Sequence, residues 1–528
     1  MSQPATGTMS SPATLVNLPG ELQLMIMERA LPYDLESLAL TCKQLHAAAL
    51  PLLPHHNALR QKYRRFHFTE SYNQPETEGI TETVTELLLD IAANPFIAHY
   101  IVHGDFGDRV CTDAIRQGSD NDRGVVLQRL EKEQDNLKAL VKNSRHLAML
   151  GLDTDVWFDN IVADRDEYDE LVDYPLVFLL SLLPNLESLA LPKQWRPSSV
   201  FSLPDDWEPV NDVQKGVQDL INLLVTRAND IEKVVGDQPL RKLHSLHPTK
   251  NVDTQFGTNI VTIAPFLALD SLREVHHDSG VCNQVGYLLT NKKNRKGVSS
   301  IPVLDFQAQG KYQVLGRNLE TAVFQDVVIS DEACGAFFKH MHKLKVLDVE
   351  YNMKDEIGYD WEPEKFLSSL MILGKTLQSL SLLANNLGPD HGRIFLPEGD
   401  LMGLQGFEVL TYLKLDTKLF IHSRAVVDNF AREPTDEDDI ETPSLINIAP
   451  HKLSTFVLHV PATQEDYVVM ECLFADLGER RKELPDLKTI KVVIEKQDVW
   501  GGDLDDWNEH AEKIKAFCEA KDIKVSML

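Results

Sequence analysis

The sequence predicts an α/β chain in which a short α-helical module is followed by an irregular solenoid, with parallel strands on the concave side and helices on the convex side. Three observations carry that prediction. The apolar pattern LxxLxL returns along the chain from Leu147 onward, stretches apolar at helical spacing run directly into several copies, and residues 15–53 hold short apolar-rich helices bounded by prolines.

Residues 1–14 have neither the basic nor the apolar run of a leader and are expected to be disordered. The first element opens at Leu18-Pro19-Gly20-Glu21-Leu22. Proline presets φ for a first helical turn, and Glu21 sets a negative charge against that turn's free amides. Leu22, Met25, Ile26 and Ala30 continue at steps of three and four until Leu31-Pro32-Tyr33-Asp34 breaks the run and offers an N-cap at Asp34. The next helix is expected to carry Leu35, Leu38, Cys42, Leu45 and Ala49 on one stripe and to end at Leu50-Pro51. A core of this size is marginal by itself, so a partner helps.

The order LPxEL, Ile26, Leu31-Pro32, Asp34-Leu35, Leu38, Leu40, Cys42-Lys43, Leu45 resembles the F-box, which docks substrate receptors of cullin-RING ubiquitin ligases onto a Skp-type adaptor. The likeness covers residues 15–53 of 528, and it departs at Leu45, where many F-boxes have Trp. It implies an F-box module over residues 15–66 and adaptor contacts from Leu18, Pro19, Glu21, Leu22, Ile26, Leu35, Leu38, Cys42 and Lys43, with a cullin reached through the adaptor. Read from helical period alone, the same segment is a helical hairpin packed on its own domain.

The basic run Arg60-Gln61-Lys62-Tyr63-Arg64-Arg65 fits an import signal and, more simply, an exposed helix end closing the module. Residues 67–83 are expected to be a linker, polar from Glu70 on. Val84 to Ile91 reads as an amphipathic helix stopped near Asn94-Pro95, Tyr100 to Gly104 as a short strand and turn, and Gly124 to Lys142 as a further helix. The solenoid is expected to occupy residues 84–528.

Strict copies of LxxLxL lie at Leu147/Leu150/Leu152, Leu186/Leu189/Leu191, Leu377/Leu380/Leu382 and Leu410/Leu413/Leu415, with Leu344/Leu347/Val349 differing only at the last position. Looser copies are Leu272/Val275, Leu319/Ala322/Phe324, Leu453/Phe456/Leu458 and Leu487/Ile490/Val492. Asn352 and Asn385 fall three residues after the last apolar position, where the leucine-rich-repeat pattern places the Asn that satisfies backbone groups of the turn. Leading leucines at 319, 344, 377, 410, 453 and 487 are spaced unevenly, so helical insertions are expected. Leu171 to Leu183, Val213 to Ala228, Asp331 to His342 and Pro363 to Gly374 supply the intervening helices. A lone unit of this kind cannot bury both faces, and stacking supplies the shared core.

If the Leu and Val positions face that core, their neighbours face the concave surface: Val346, Asp348 and Glu350; Ser379, Ser381 and Leu383; Tyr412, Lys414 and Asp416; Thr455, Val457 and His459. From this set Asp348, Glu350, Ser379, Ser381, Tyr412 and Lys414 are the candidate contacts for a target protein. Acidic stretches interrupt the array. Glu433 to Asp439 reads as a solvated loop, whereas residues 153–173, with Trp157-Phe158, and Asp503 to Trp507 are better candidates for contact.

The net charge of −28 is uneven: Leu15 to Phe66 holds six basic and four acidic residues, which leaves −30 on the remainder. A polyanionic body repels phosphates, which argues against a nucleic-acid ligand. The six cysteines are far apart, with no CxxC, and no apolar run is long enough to span a membrane. The expectation is therefore a reduced, soluble protein of the cytoplasm or nucleus. HExxH, P-loop, GxSxG and a strand-following GxGxxG are all missing, and the pairs His55-His56, His244/His247, His276-His277 and His340/His342 lack the further ligands of a known metal set. No cofactor, metal or catalytic residue is expected. The expected role is the substrate-recognition subunit of a Skp-cullin-F-box ligase, with an unidentified target. A repeat scaffold that recruits no ligase, and more remotely a hydrolase with its site in a loop, are the alternatives.

Overall fold

The structure, a computed structural model, describes residues 15–67, 84–106, 120–162, 174–191, 212–230, 238–248, 263–278, 281–282, 315–329, 335, 337–352, 363–385, 401–420, 444–462, 464–496 and 504–528. The strands are β1 (Arg65–His67), β2 (His103–Asp105), β3 (Ser188–Leu191), β4 (Ser245–Pro248), β5 (Glu274–Asp278), β6 (Val281–Cys282), β7 (Thr321–Ile329), β8 (Val346–Asn352), β9 (Ser379–Asn385), β10 (Tyr412–Asp416), β11 (Thr455–Val460), β12 (Thr489–Ile494) and β13 (Lys524–Met527). Among the described residues they make one 13-stranded sheet, every pair parallel. Each strand lies beside its predecessor in the chain, save that β5 meets β7 directly and the two-residue β6 pairs farther along β7. The chain is thus α/β with a parallel sheet, as its helix-then-strand order requires.

The register turns the leucine pattern into rungs. One runs Phe66, Gly104, Leu189, Leu246, Val275, Ala322, Leu347, Leu380, Leu413, Phe456, Ile490. Two residues on, Val349, Leu382, Leu415, Leu458, Val492 and Val525 form another. Most of these side chains are buried in one continuous core with the helices, each fully buried one contributing about 1.5–3 kcal/mol. The leading residues Leu186, Leu344, Leu377, Leu410 and Leu453 are equally buried, in the turns that enter each strand. Gly104 is the small member of its rung because the Phe106 ring lies 2.9 Å from where a Cβ would stand.

At the N-terminus α1 (Gly20–Arg29), α2 (Leu35–Thr41), α3 (Lys43–Ala49) and α4 (Leu53–Tyr63) enclose a separate small core of Met27, Leu35, Ala39, Leu45 and Ala49. Helix α4 joins it to the body, since Leu53 packs on the small core while Leu59 and Tyr63 pack on the large one. Then α5 (Val84–Ala93) begins the body, and helix Leu504–Ala520 with β13 closes it.

Several expectations are corrected. The copy at Leu147/Leu150/Leu152 is a helix, Arg145–Leu150, started by Ser144, whose side chain accepts from the Leu147 N–H at 3.4 Å, and stopped by Gly151 at φ 65°. The single helix expected through Cys42 is two, because Cys42 is extended at φ −160°, ψ 162°. Trp157 and Phe158 are core side chains of helix 154–162, so they are not contact residues. The module's expected boundary after Phe66 falls inside β1. Asn352 and Asn385 stand side by side in the register, but the role expected of their side chains, like the acidic run 433–439 and most of 153–173 beyond Val162, lies outside the described residues.

Candidate functional site

The predicted site residues fall on two parts of the fold. The first is on the N-terminal helices. Pro19 is the N-cap of α1 at φ −50°, ψ 146°, so the chain enters extended and turns helical at Gly20, with Glu21 in the first turn. Gln23, which sequence reasoning passed over, holds the segment before the helix: its buried amide donates to the carbonyls of Val16 and Leu18, each at 3.0 Å. Leu22 and Met25 lie one turn apart on α1 and are 44% and 56% exposed, while Leu40 on α2 is 83% exposed and Leu50, just past α3, 52%. Leu18, Ile26, Leu38 and Cys42 are half-buried and Pro19, Glu21 and Lys43 exposed, whereas Leu35 is wholly buried. Leu35 is therefore a core side chain of the module and not an exposed contact.

This module is tied to the body. Tyr63 donates to Asp90 at 2.6 Å, and Arg129 also bonds that carboxylate. Burial pushes the Asp90 carboxyl up, but the hydrogen bonds from Tyr63 and Arg129 more than offset it and hold the group below its ordinary value. His56, buried on α4, is 2.9 Å from the Tyr100 hydroxyl, and burial lowers its pKa. Tyr33 meets His99 at 3.1 Å, with Lys242 over its ring.

The second surface is the sheet face that bears the residues alternating with the buried rungs. Val346, Asp348, Glu350, Ser379, Leu383, Tyr412, Lys414 and Thr455 are half-buried there; Ser381, Asp416, Val457 and His459 are more deeply set. A groove of about 530 Å³ crosses β8 to β12 on this face. Glu350, Leu383, Tyr412, Lys414, Thr455, Val457 and His459 line it together with Thr489, Lys491, Val493, Glu495 and Leu528. Of the candidate contacts, Glu350, Tyr412 and Lys414 are thus in its wall, and Asp348, Ser379 and Ser381 on the same face beside it. The β12 residues were not singled out from sequence, although Leu487/Ile490/Val492 gives their register by alternation.

Within the groove, His459 stands between two carboxylates, its Nδ1 3.3 Å from Asp416 and its Nε2 2.6 Å from Glu495. Burial, then the neighbouring Asp348 charge, raise the Tyr412 pKa. Farther along the sheet the His247 and His276 rings lie 4.7 Å apart, with Glu274 at 2.7 Å from His276. Among the described residues no group of three or more His, Cys, Asp or Glu is placed to hold a metal ion, and no helix is long and apolar enough to cross a membrane. No family model matches the chain, and no curated protein matches it.

Proposed function

We propose that the chain is the substrate-recognition subunit of a Skp-cullin-F-box E3 ubiquitin ligase. In this reading its helices bind the adaptor and the open face of an irregular leucine-rich-repeat-like solenoid holds a target protein. The observation that carries it is the exposure of Leu22, Met25, Leu40 and Leu50 on helices with a core of their own. Large apolar side chains exposed on so small a module support a docking reading. They sit on the segment whose LPxEL opening resembles an F-box. The solenoid reading is supported by helix-then-strand units, buried leading leucines and strands stacked in chain order.

The chain itself performs no chemistry in this reading. It raises the effective concentration of target lysines near a ubiquitin-loaded conjugating enzyme, in the cytoplasm or nucleus, with neither nucleic acid nor membrane as ligand.

A second reading, a repeat scaffold without ligase, is favoured by the bonds Tyr63–Asp90 and His56–Tyr100, which suit a helical cap on the sheet's first edge. Co-purification of the full chain with a Skp-type adaptor separates the two. Leu22→Asp with Leu40→Asp changes only exposed positions; loss of capture with an unchanged melting curve supports the ligase subunit, and absence of capture by the unaltered chain leaves the scaffold.

A further inference from the structure

On the open face of β4 and β5 four side chains close a ring. Ser245 and Glu274 are register partners, and His247 and His276 stand two residues farther along the same strands. The Ser245 hydroxyl bonds His247 Nε2 and lies 3.3 Å from Glu274 Oε2, while Glu274 Oε1 is 2.7 Å from His276 Nε2. The two imidazoles come together with ring centres 4.7 Å apart. One carboxylate therefore serves two imidazoles, directly for His276 and through a hydroxyl for His247.

This ring stands where the sheet is most weakly closed. β4 and β5 are in register only at Ser245–Glu274 and Leu246–Val275, fewer pairs than join any other neighbours on the continuous path of the sheet among the described residues. The histidines come just after the last pair. The other end of the seam is fastened: the Ser271 hydroxyl donates to the Leu243 carbonyl at 2.7 Å, and Asn229 donates to the Ala268 carbonyl at 2.7 Å and accepts from the Asp270 N–H at 2.8 Å. Opening of the seam must therefore start at the histidine end.

The charges on this face make that end sensitive to protons. A proton on His276 has Glu274 as its partner, whereas a second one on His247 meets that cation with the carboxylate already engaged. Burial, then the charge of His276, lower the His247 pKa from 6.5; His244 adds to the effect, and Glu274 and Asp105 of β2 only partly oppose it. Elsewhere on the face His103 of β2 bonds Ser188 at 2.9 Å, and Glu187, ahead of β3, is 3.9 Å from His244. The β7 partners of Glu274 and His276, Thr321 and Val323, are uncharged. His277 is buried on the opposite side of β5.

We propose that the His247–His276 pair is an acid-sensitive latch on the β4–β5 seam, which frays from its histidine end as pH falls below neutral. On one side of the seam lie β1 to β4, next to the N-terminal helices; on the other lie β8 to β12 with the groove. Fraying loosens the join between these two parts while Ser271 and Asn229 keep them attached. In the opened seam His247 regains its ordinary 6.5 and binds a proton that the closed seam refuses. Closure is therefore complete above pH 6.5 and weakens as pH falls below it. Between pH 7.5 and 5.5 the opened fraction rises by up to about tenfold.

The test is amide hydrogen exchange of the full chain at pH 7.5 and 5.5, mapped by peptide mass spectrometry and corrected for the intrinsic rate at each pH. Exchange within residues 243–248 and 274–278 is expected to rise about three- to tenfold relative to β9 and β10 in the same sample. His247→Gln cannot take the proton and should abolish the excess. His276→Gln, at a half-exposed position, removes the facing cation and should at least about halve it, which keeps the test decisive if the first variant does not fold. An unchanged ratio between the two pH values, a rise shared by every strand, or a full excess in either folded variant would overturn the latch.

Discussion

Tyr63 donates a 2.6 Å hydrogen bond to Asp90, and through it the last turn of α4 is joined to α5 at the first edge of the sheet. Asp90 is 12% exposed at its side chain and also held by Arg129 and Lys62. Burial and the hydrogen bond to Asp90 push the Tyr63 phenol up to about 12. Tyr63→Phe removes a donor to a mostly buried carboxylate while keeping the ring, so it should cost about 1.5–3 kcal/mol in chemical denaturation. Asp90→Asn in the Tyr63→Phe background should then cost less than in the unaltered chain, which a double-mutant cycle would measure.

Much of the sheet was legible because leucine alternation and helical spacing are local signals. Leu344/Leu347/Val349 and Leu377/Leu380/Leu382 became β8 and β9 as expected. The copy at Leu147 failed because the first step of the pattern, three residues, also suits a helix, and Ser144 and Gly151 are helix boundaries that outweighed it. Strand β4 escaped notice because Pro248 stands where the third leucine would. The break at Cys42 carries no signal in the apolar period, which continues across it. The open-face residues of β8 to β11 followed from alternation, but the meeting of His247 with His276 did not, since it arises only when β4 and β5 are brought into register.

Leu35 and Leu40 are five residues apart on the same helix and should answer oppositely. Leu35 is wholly buried, so Leu35→Ala leaves a cavity in the small core and is expected to cost about 2–5 kcal/mol of that module's stability. Leu40→Asp, at an 83% exposed position, should stay within about 0.5 kcal/mol. Proteolysis within residues 15–63 reads the difference. Equal sensitivity would mean that Leu40 is covered in solution.

His146 is 3% exposed, and its Nε2 has no hydrogen-bond partner. Burial lowers its pKa from 6.5 to about 4, with the charges of Arg145 and Arg227 adding to the effect. Between those values the unfolded chain binds a proton that the folded chain refuses. Its contribution is complete above pH 6.5 and is lost as pH falls toward 4, at up to about 1.4 kcal/mol per pH unit. The midpoint of urea unfolding, followed from pH 7.5 to 5, should fall less steeply in His146→Leu than in the unaltered chain. Parallel slopes would remove His146 as a source of acid sensitivity.

Ser381 is 5% exposed, between Asp348 and Lys414 on its rung, and its hydroxyl has no partner. Ser381→Ala removes a desolvated, unsatisfied group at little change in volume and should be neutral or stabilising by up to about 1 kcal/mol. Ser379→Ala, at a half-buried position, should change stability by less than about 0.5 kcal/mol. Thermal melting of the two variants compares them directly.

The two carboxylates on His459 differ in what surrounds them, and their removal should not be equivalent. Asp416 is 0% exposed at its side chain and Glu495 51%, although the Glu495 contact is the shorter, 2.6 Å against 3.3 Å. A contact to a half-exposed carboxylate is screened by water and worth about 0–1 kcal/mol, so Glu495→Gln should barely shift the denaturation midpoint despite its closer approach. Replacing His459 by Leu instead takes a polar partner from a carboxylate that has no access to water, and leaving a buried charged acceptor short of a hydrogen-bond donor costs about 1.5–3 kcal/mol. Asp416 keeps other interactions, which places the expected loss toward the lower end of that range. The order His459→Leu worse than Glu495→Gln follows from burial and not from distance. The reverse order would mean that the short Glu495 contact, at the mouth of the groove, is the one that holds β11 against β12.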